Sequence, residues 1–325
     1  MTYSRPRKYF FMFMLLALAI GAVRAQDWPS KPITLVMGYP AGSGLDVVAR
    51  ILQEPLEKAL NTRIVTDYRA GAGGNIGSEY VTRARADGYT ILLGTAGTHG
   101  INAALYSKLP FDVEADFTPI ASLIDVANVL SINPNVIDVK TVREFIDLVK
   151  ANPGKYNYAS SGNGASTHLA FAEFNTKAGL TMTHVPHKSA QAIQGLLKGD
   201  VCCTFNQVQT IIGHYRSGRV RLLGVSSKTR VSAVPEIPTV SEAGLPGYES
   251  TTWFGFFGPK GVDAHIVNTI NGAVRKALEM PSVRQRLADV GNMPRIETAE
   301  QFRATVRNDR VKWAAVVKST GATID

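Results

Sequence analysis

The chain reads as an α/β protein built from two similar lobes. Three observations predict this. Short apolar runs alternate with amphipathic stretches from Ile33 onward, and Gly-rich turns follow the apolar runs. One strand–turn–helix design also occurs twice, around YPAGSGLDVVAR (39–50) and YNYASSGNGASTHLAFAEF (156–174). Such alternation predicts a sheet with parallel strands, whose ligands sit at the carboxyl ends of the strands. The duplication, about 120 residues apart, would give each lobe one strand-end turn facing a shared cleft.

The elements follow in order. ITLVMG is a strand, and LDVVARILQEPLEKAL a helix with Val48, Leu52, Leu56 and Leu60 on one stripe; Pro55 inside it should bend it. RIVTDY, then NIGSEYVTRAR, then YTILLGTAG give strand, helix and strand. ASLIDVANVLSINP is strand-like, and TVREFIDLVKANPG is a helix with a Pro-Gly stop. YNYAS opens the second unit, followed by its Gly-rich turn and helix. MTHVP, SAQAIQGLLKGD, VCCTF, TIIGHYRSGR and VRLLGVSS alternate strand and helix. A Pro-rich loop, PEIPTVSEAGLPGYES, leads to the strand TTWFGFFGP, and helices near 263–280, 282–290 and 299–318 close the chain. Cys202 and Cys203 are adjacent; the expectation is two small buried residues on opposite faces of a strand, with no disulfide and no metal site. Crossovers between lobes are expected near 120–125 and 224–228. That sets a leader at 1–25, lobe I at 26–122 plus 226–325, and lobe II at 123–225.

The first 25 residues differ from the rest. Arg5, Arg7 and Lys8 precede FFMFMLLALAI, and Val23-Arg24-Ala25 forms a small-x-small site, so a secretory signal cleaved near Ala25 is expected. Its removal takes four of the nine net positive charges and leaves about +5. A mild excess of that size favours encounter with anions. Basic residues are scattered and not interleaved with aromatics, which argues against a nucleic-acid partner.

PAGSGLD and SSGNGAST each place backbone N–H groups at a helix start, where the first four lack partners and carry the positive end of the helix dipole. Gly permits close approach, and Ser43, Ser161, Ser166 and Thr167 add hydroxyl donors. The structural alternative has Asp46 and Ser166 serving only as helix caps. His168, just inside the second helix, and Lys188 could each face a bound carboxylate; a core or capping histidine and a solvated lysine are the alternatives.

Other chemistries fail on spacing. RAGAGGNIGSEY does not fit G-x-G-x-x-G, since Ile76 stands at the sixth position from Gly71, and no G-x-x-x-x-G-K-[ST] occurs. Ser43 has Ala41 where a nucleophile elbow needs its first Gly. The six histidines show no metal-ligand spacing. The expectation is therefore no cofactor, no metal and no catalytic residue. An exported hydrolase or isomerase acting on a carboxylate through a cleft histidine stays open, because triads need no local motif.

The segments YPAGSGLDVVAR, RAGAGGNIGSEYVTRARADGYTILLGT, LPFDVEADFTPIA, YNYASSGNGASTHLAFAEF, HVPHKSAQAIQGLLKGDV and PEIPTVSEAGLPGYE with TTWFGFFGPKG resemble, in order and across nearly the whole chain, the receptors of tripartite tricarboxylate transporters, often called Bug receptors. The resemblance implies a two-lobed, type II-like periplasmic binding protein, monomeric, closing on a small organic carboxylate and delivering it to membrane permease subunits. It implies two opposed pincers, Tyr39 to Asp46 (with Ala41, Gly42 and Ser43) and Ser160 to His168 (with Ser161, Asn163, Gly164, Ala165 and Ser166). Thr95 and Asn206 complete the pocket, with Trp253 as an aromatic wall. Family members commonly carry Phe-Asp where this chain has Phe205-Asn206. A neutral amide there would not hold a ligand ammonium, so the expected ligand is a mono- or dicarboxylate without an amino group. A receptor that signals instead of feeding a permease would read the same.

Overall fold

The computed structural model describes residues 28–187 and 191–320; the expected leader and Lys188 lie outside the described residues. β1 (Ile33–Met37) pairs in parallel with β2 (Ile64–Tyr68) and β3 (Thr90–Thr95). α1 (Gly44–Leu60) follows β1 and runs through Pro55, burying Val48, Leu52, Leu56 and Leu60 as the stripe requires. α2 (Asn75–Thr82) follows a three-residue 3₁₀ turn after β2. The glycines of RAGAGGNIG have a packing reason. A Cβ at Gly77 would lie 2.8 Å from the Gly38 Cα, and one at Gly38 would lie 2.7 Å from the Gly74 carbonyl oxygen, so this helix start crosses the end of β1 backbone to backbone.

The second unit repeats the plan. β5 (Asn157–Ser160) pairs in parallel with β6 (Thr183–Pro186) and β7 (Cys203–Gln207). Between these strands run α5 (Ser166–Ala178) and α6 (Gln191–Lys198); α4 (Val142–Lys150) precedes them, and α7 (Val208–Arg216) and β8 (Arg221–Val225) follow. α3 (Asn102–Leu105) continues a π-helical turn, Gly97–Ile101, after β3, and α8 (Val240–Ala243) lies in the Pro-rich loop.

Beside the expected parallel pairs, two strands join the halves antiparallel. β4 (Phe117–Ile132) pairs with β9 (Thr251–Pro259) over Phe117–Ala127, then with β7 and β8 over Asn128–Ile132. One sixteen-residue strand thus belongs to both sheets, and the hydrogen-bonding partner changes between Ala127 and Asn128. A short β10 (Asn292–Pro294), not foreseen, adds to β4 at Ile124–Val126. α9 (Ala264–Glu279) and α10 (Pro281–Asp289) cover the first sheet together with α1. α11 (Ala299–Thr320) buries Phe302 and Val306 in the first half's core; farther along, Trp313 and Val317 pack with Ile101, Leu105 and the α5 residue Leu169. The two cysteines do not alternate. Cys202 precedes the strand, both sulfurs approach the Asn157 carbonyl, and they lie 3.4 Å apart, buried and unbonded.

Candidate functional site

A cavity of about 490 Å³ lies between the two halves, at the strand ends. Its walls come from both: Tyr39, Ser43, Thr95, Leu105 and Phe254 on one side, Ser161 to Thr167, Ile193, Asn206 and Gln207 on the other. Among the described residues that line it, none carries a charge. That volume is within the range of small-molecule pockets.

The first pincer starts α1. Ser43 is its N-cap, with extended backbone and its Oγ accepting from the Asp46 amide at 3.4 Å. Asp46 is not exposed to the cavity. Its Oδ2 accepts from the Gly42 amide (2.8 Å) and Arg50 Nε (3.0 Å), and its Oδ1 from the Tyr68 hydroxyl (2.6 Å). Burial opposes its ionisation, but these three donors outweigh that and hold the carboxyl below the usual range. The Asp46 carboxylate therefore holds the turn's shape, and the Gly42 amide is directed to it. Ala41 and Gly42 sit on the solvent side and do not line the cavity. Tyr39 does, its hydroxyl donating to the Gly73 carbonyl at 3.0 Å.

The second pincer differs. Ala165, not Ser166, is the N-cap of α5, and no side chain caps that helix start. Several turn amides are already used: Ser161 N donates to Thr167 Oγ1, Gly162 N to Ser160 Oγ, and Gly164 N to His168 Nδ1 (3.0 Å). His168 is 6% exposed, does not line the cavity, and stacks on His184 with ring centroids 3.9 Å apart. His184 Nε2 in turn lies 2.6 Å from Ser160 Oγ. Burial pushes both imidazoles down to about 4, with His168 and His187 adding to the effect on His184. The expectation that His168 faces a ligand is corrected: it is a neutral acceptor behind the turn, which it braces.

Two more strand ends complete the wall. Thr95 lines the cavity and is held by reciprocal bonds with Thr98, the Thr98 amide donating to Thr95 Oγ1 at 3.1 Å and the Thr95 amide to Thr98 Oγ1 at 3.0 Å. Asn206, on β7, is 6% exposed, lines the cavity, and its amide nitrogen meets no acceptor among the described residues. Trp253 is not the aromatic wall. It is 2% exposed, its Nε1 donates to Asp309 Oδ2 at 2.5 Å, and it packs with Phe257 and Phe302 behind β9. The strand alternation puts Thr252 and Phe254 on the cavity side instead. That parity was available from TTWFGFF; residue type alone pointed to the wrong neighbour. Ile101, Asn102, Leu105 and Tyr106, which also line the cavity, had no such signal, because the π-helical turn that brings them there breaks the helical period.

The comparisons agree with this architecture. A family profile described as "Tripartite tricarboxylate transporter family receptor" matches residues 48–322. BugT of Bordetella pertussis is 32% identical over 313 residues, covering 96% of each chain. Among solved structures, an R. palustris protein with adipate superposes with a TM-score of 0.81 at 31% identity, covering 92% of this chain and all of the other. MatC from Rhodopseudomonas palustris with bound malate gives 0.75 at 30%, covering 89% and 100%. With the profile spanning most of its length, the chain belongs to the solute-binding receptors of the tripartite tricarboxylate transporter family, with their two-lobed fold.

Proposed function

We propose that the protein captures a small mono- or dicarboxylate lacking an amino group in the periplasm, does no chemistry on it, and passes it to membrane permease subunits. The observation that carries this is a cavity between two lobes whose described lining is neutral, with helix starts converging on it and one buried, unpartnered amide donor, Asn206. The uncapped start of α5 supplies N–H groups and the positive end of a thirteen-residue helix. Ser43, Thr95 and Asn206 add neutral donors from the other strand ends. A carboxylate is stabilised by such donors without a buried counter-charge, and an ammonium finds no carboxylate partner among them. Lobe I is read as 26–122 plus 226–325 and lobe II as 123–225, with β4 carrying the exchange of sheets. Relatives in the family bind adipate and malate, which supports the carboxylate class.

The test is calorimetry of the processed protein against succinate, adipate, benzoate and aspartate, repeated on Asn206→Asp. The wild type should prefer the acids without an amino group. The variant, with a carboxylate added to a buried wall, should lose about ten-fold or more for succinate and recover relative affinity for aspartate. Tighter binding of aspartate by the wild type sinks this reading.

A further inference from the structure

Away from the cleft, a groove of about 390 Å³ runs between the segment Val113–Pro119 and α11. Its floor is apolar, with Val113, Phe117 and Val306 all buried. Its rim is basic. Lys260 stands on one side, and Arg303, Arg307 and Arg310 on the other, spaced i, i+4 and i+7 so that they share one face of the helix. Among the described residues the one carboxylate lining it is Glu114, which pairs with Arg307 Nε (3.3 Å) and with Arg310. Asp112 and Asp116 lie nearby: Asp116 Oδ2 accepts the Asp112 amide and Asp112 Oδ1 the amides of Glu114 and Ala115, while the exposed Asp112 carboxylate also feels the charge of Arg310. Lys260 and Arg303 are exposed and enter no ion pair among the described residues.

From this juxtaposition we infer that the groove is a docking surface for an acidic segment of a partner protein, with an apolar side chain seated on the Phe117–Val306 floor and carboxylates on Lys260 and Arg303, the rim cations without an ion pair among the described residues. A walled groove with an apolar floor fits a polypeptide rather than the flat field of lipid headgroups, and complementary charge of this kind mainly sets encounter and orientation. α11 is a suitable element to grip: its far end, through Trp313 and Val317, packs on Leu169 of the other lobe, so the docked segment would hold the helix that touches both halves.

Fluorescence anisotropy of a labelled Glu-Glu-Phe-Glu-Glu peptide, titrated with the processed protein at low salt, tests this. A Lys-Lys-Phe-Lys-Lys peptide and phosphatidylglycerol vesicles serve as comparison probes. The acidic peptide should bind and the basic one should not. Lys260→Glu with Arg303→Glu should weaken binding about ten-fold or more. Lys150→Glu with Lys198→Glu, the same charge change on exposed sites of the other lobe, should stay within about two-fold, since distant exposed charges are screened. Carboxylate binding in the cleft should be unchanged in both. No binding of the acidic peptide, equal loss in the two double variants, or binding to vesicles alone overturns the inference.

Discussion

Gly164 offers the sharpest test of how the lobes meet. It sits in the second pincer at φ +70°, and a Cβ placed on it would lie 2.0, 2.5 and 2.8 Å from Cδ2, Cδ1 and Cγ of Leu105, which belongs to the other lobe. Leu105 is 3% exposed and packed among Ile101, Leu169, Trp313 and Val317, so it cannot swing aside without disturbing that cluster. Gly164→Ala therefore costs two separable things. The left-handed backbone costs about 1–2 kcal/mol whether or not the lobes are together. The overlap with Leu105 acts only when they meet, at about 1–3 kcal/mol for an overpacked contact. Only the second is linked to ligand binding, because a ligand that touches both lobes is held most tightly when they are closed. The expected loss is about 5- to 150-fold in affinity, measured by calorimetry with the tightest acid of the panel. Leu105→Ala alone should also weaken binding, by removing an apolar contact between the lobes. Combined, the two should be non-additive: the double variant should bind more tightly than the product of the single losses, by about the steric term. Affinity within two-fold of wild type for Gly164→Ala, or strict additivity in the cycle, would refute the claim that this turn closes on Leu105.

Two further perturbations address the pincers themselves. Asp46→Ala should destabilise the protein by about 1–2 kcal/mol in urea titration, since it removes the shared acceptor of the Gly42 amide and the Tyr68 hydroxyl, both of which can turn to water; a loss under about 0.5 kcal/mol would show that the turn holds without its carboxylate. Stability should also fall on mild acidification. His168 and His184 stay neutral in the fold down to about pH 4, whereas the unfolded chain takes up those protons near the ordinary value of 6.5. Their contribution is therefore complete above pH 6.5 and is lost as pH drops towards 4; the slope approaches about 1.4 kcal/mol per pH unit for the buried His168 and is smaller for the partly exposed His184, which solvent screens. Urea midpoints between pH 7.5 and 4.5 for wild type and His168→Asn measure the slope, and an unchanged slope in the variant would count against the buried pair.

The split between what the sequence announced and what it hid follows a physical line. Periodic elements were legible: the α1 stripe, the TTWFGFFGP strand and the three closing helices all depend on patterns that burial imposes locally. The two Gly-rich turns were legible as a pair, because a backbone that must approach a ligand or another backbone leaves glycine as its mark. What was hidden is the direction of individual polar side chains. Asp46 and His168 have the residue types of ligand contacts and stand in the right turns, yet each points back into the protein to satisfy an amide that the Gly-rich backbone leaves exposed. A turn opened for a ligand has more orphan donors than the ligand can use, and the fold must supply acceptors for the remainder.

The asymmetry between the pincers sharpens that point. In the first, Ser43 and Asp46 between them take up the Asp46 and Gly42 amides, so its direct offer to an anion is mainly hydroxyl and the remaining first-turn N–H groups. In the second, no side chain caps α5, and Ala165, Ser166 and Thr167 at its start line the cavity together with Asn206. An anion should be anchored on the lobe II side and closed upon from lobe I. The order has a consequence for specificity: the lobe II wall is mostly polar, with Ser161, Asn163, Ser166 and Asn206 beside the helix start and only Ile193 as a large apolar side chain, while lobe I contributes Leu105, Phe254 and Tyr39, whose shapes would discriminate the body of the acid. On the proposed reading, discrimination among carboxylates should therefore reside mainly in whether lobe I can close around what lobe II has already bound.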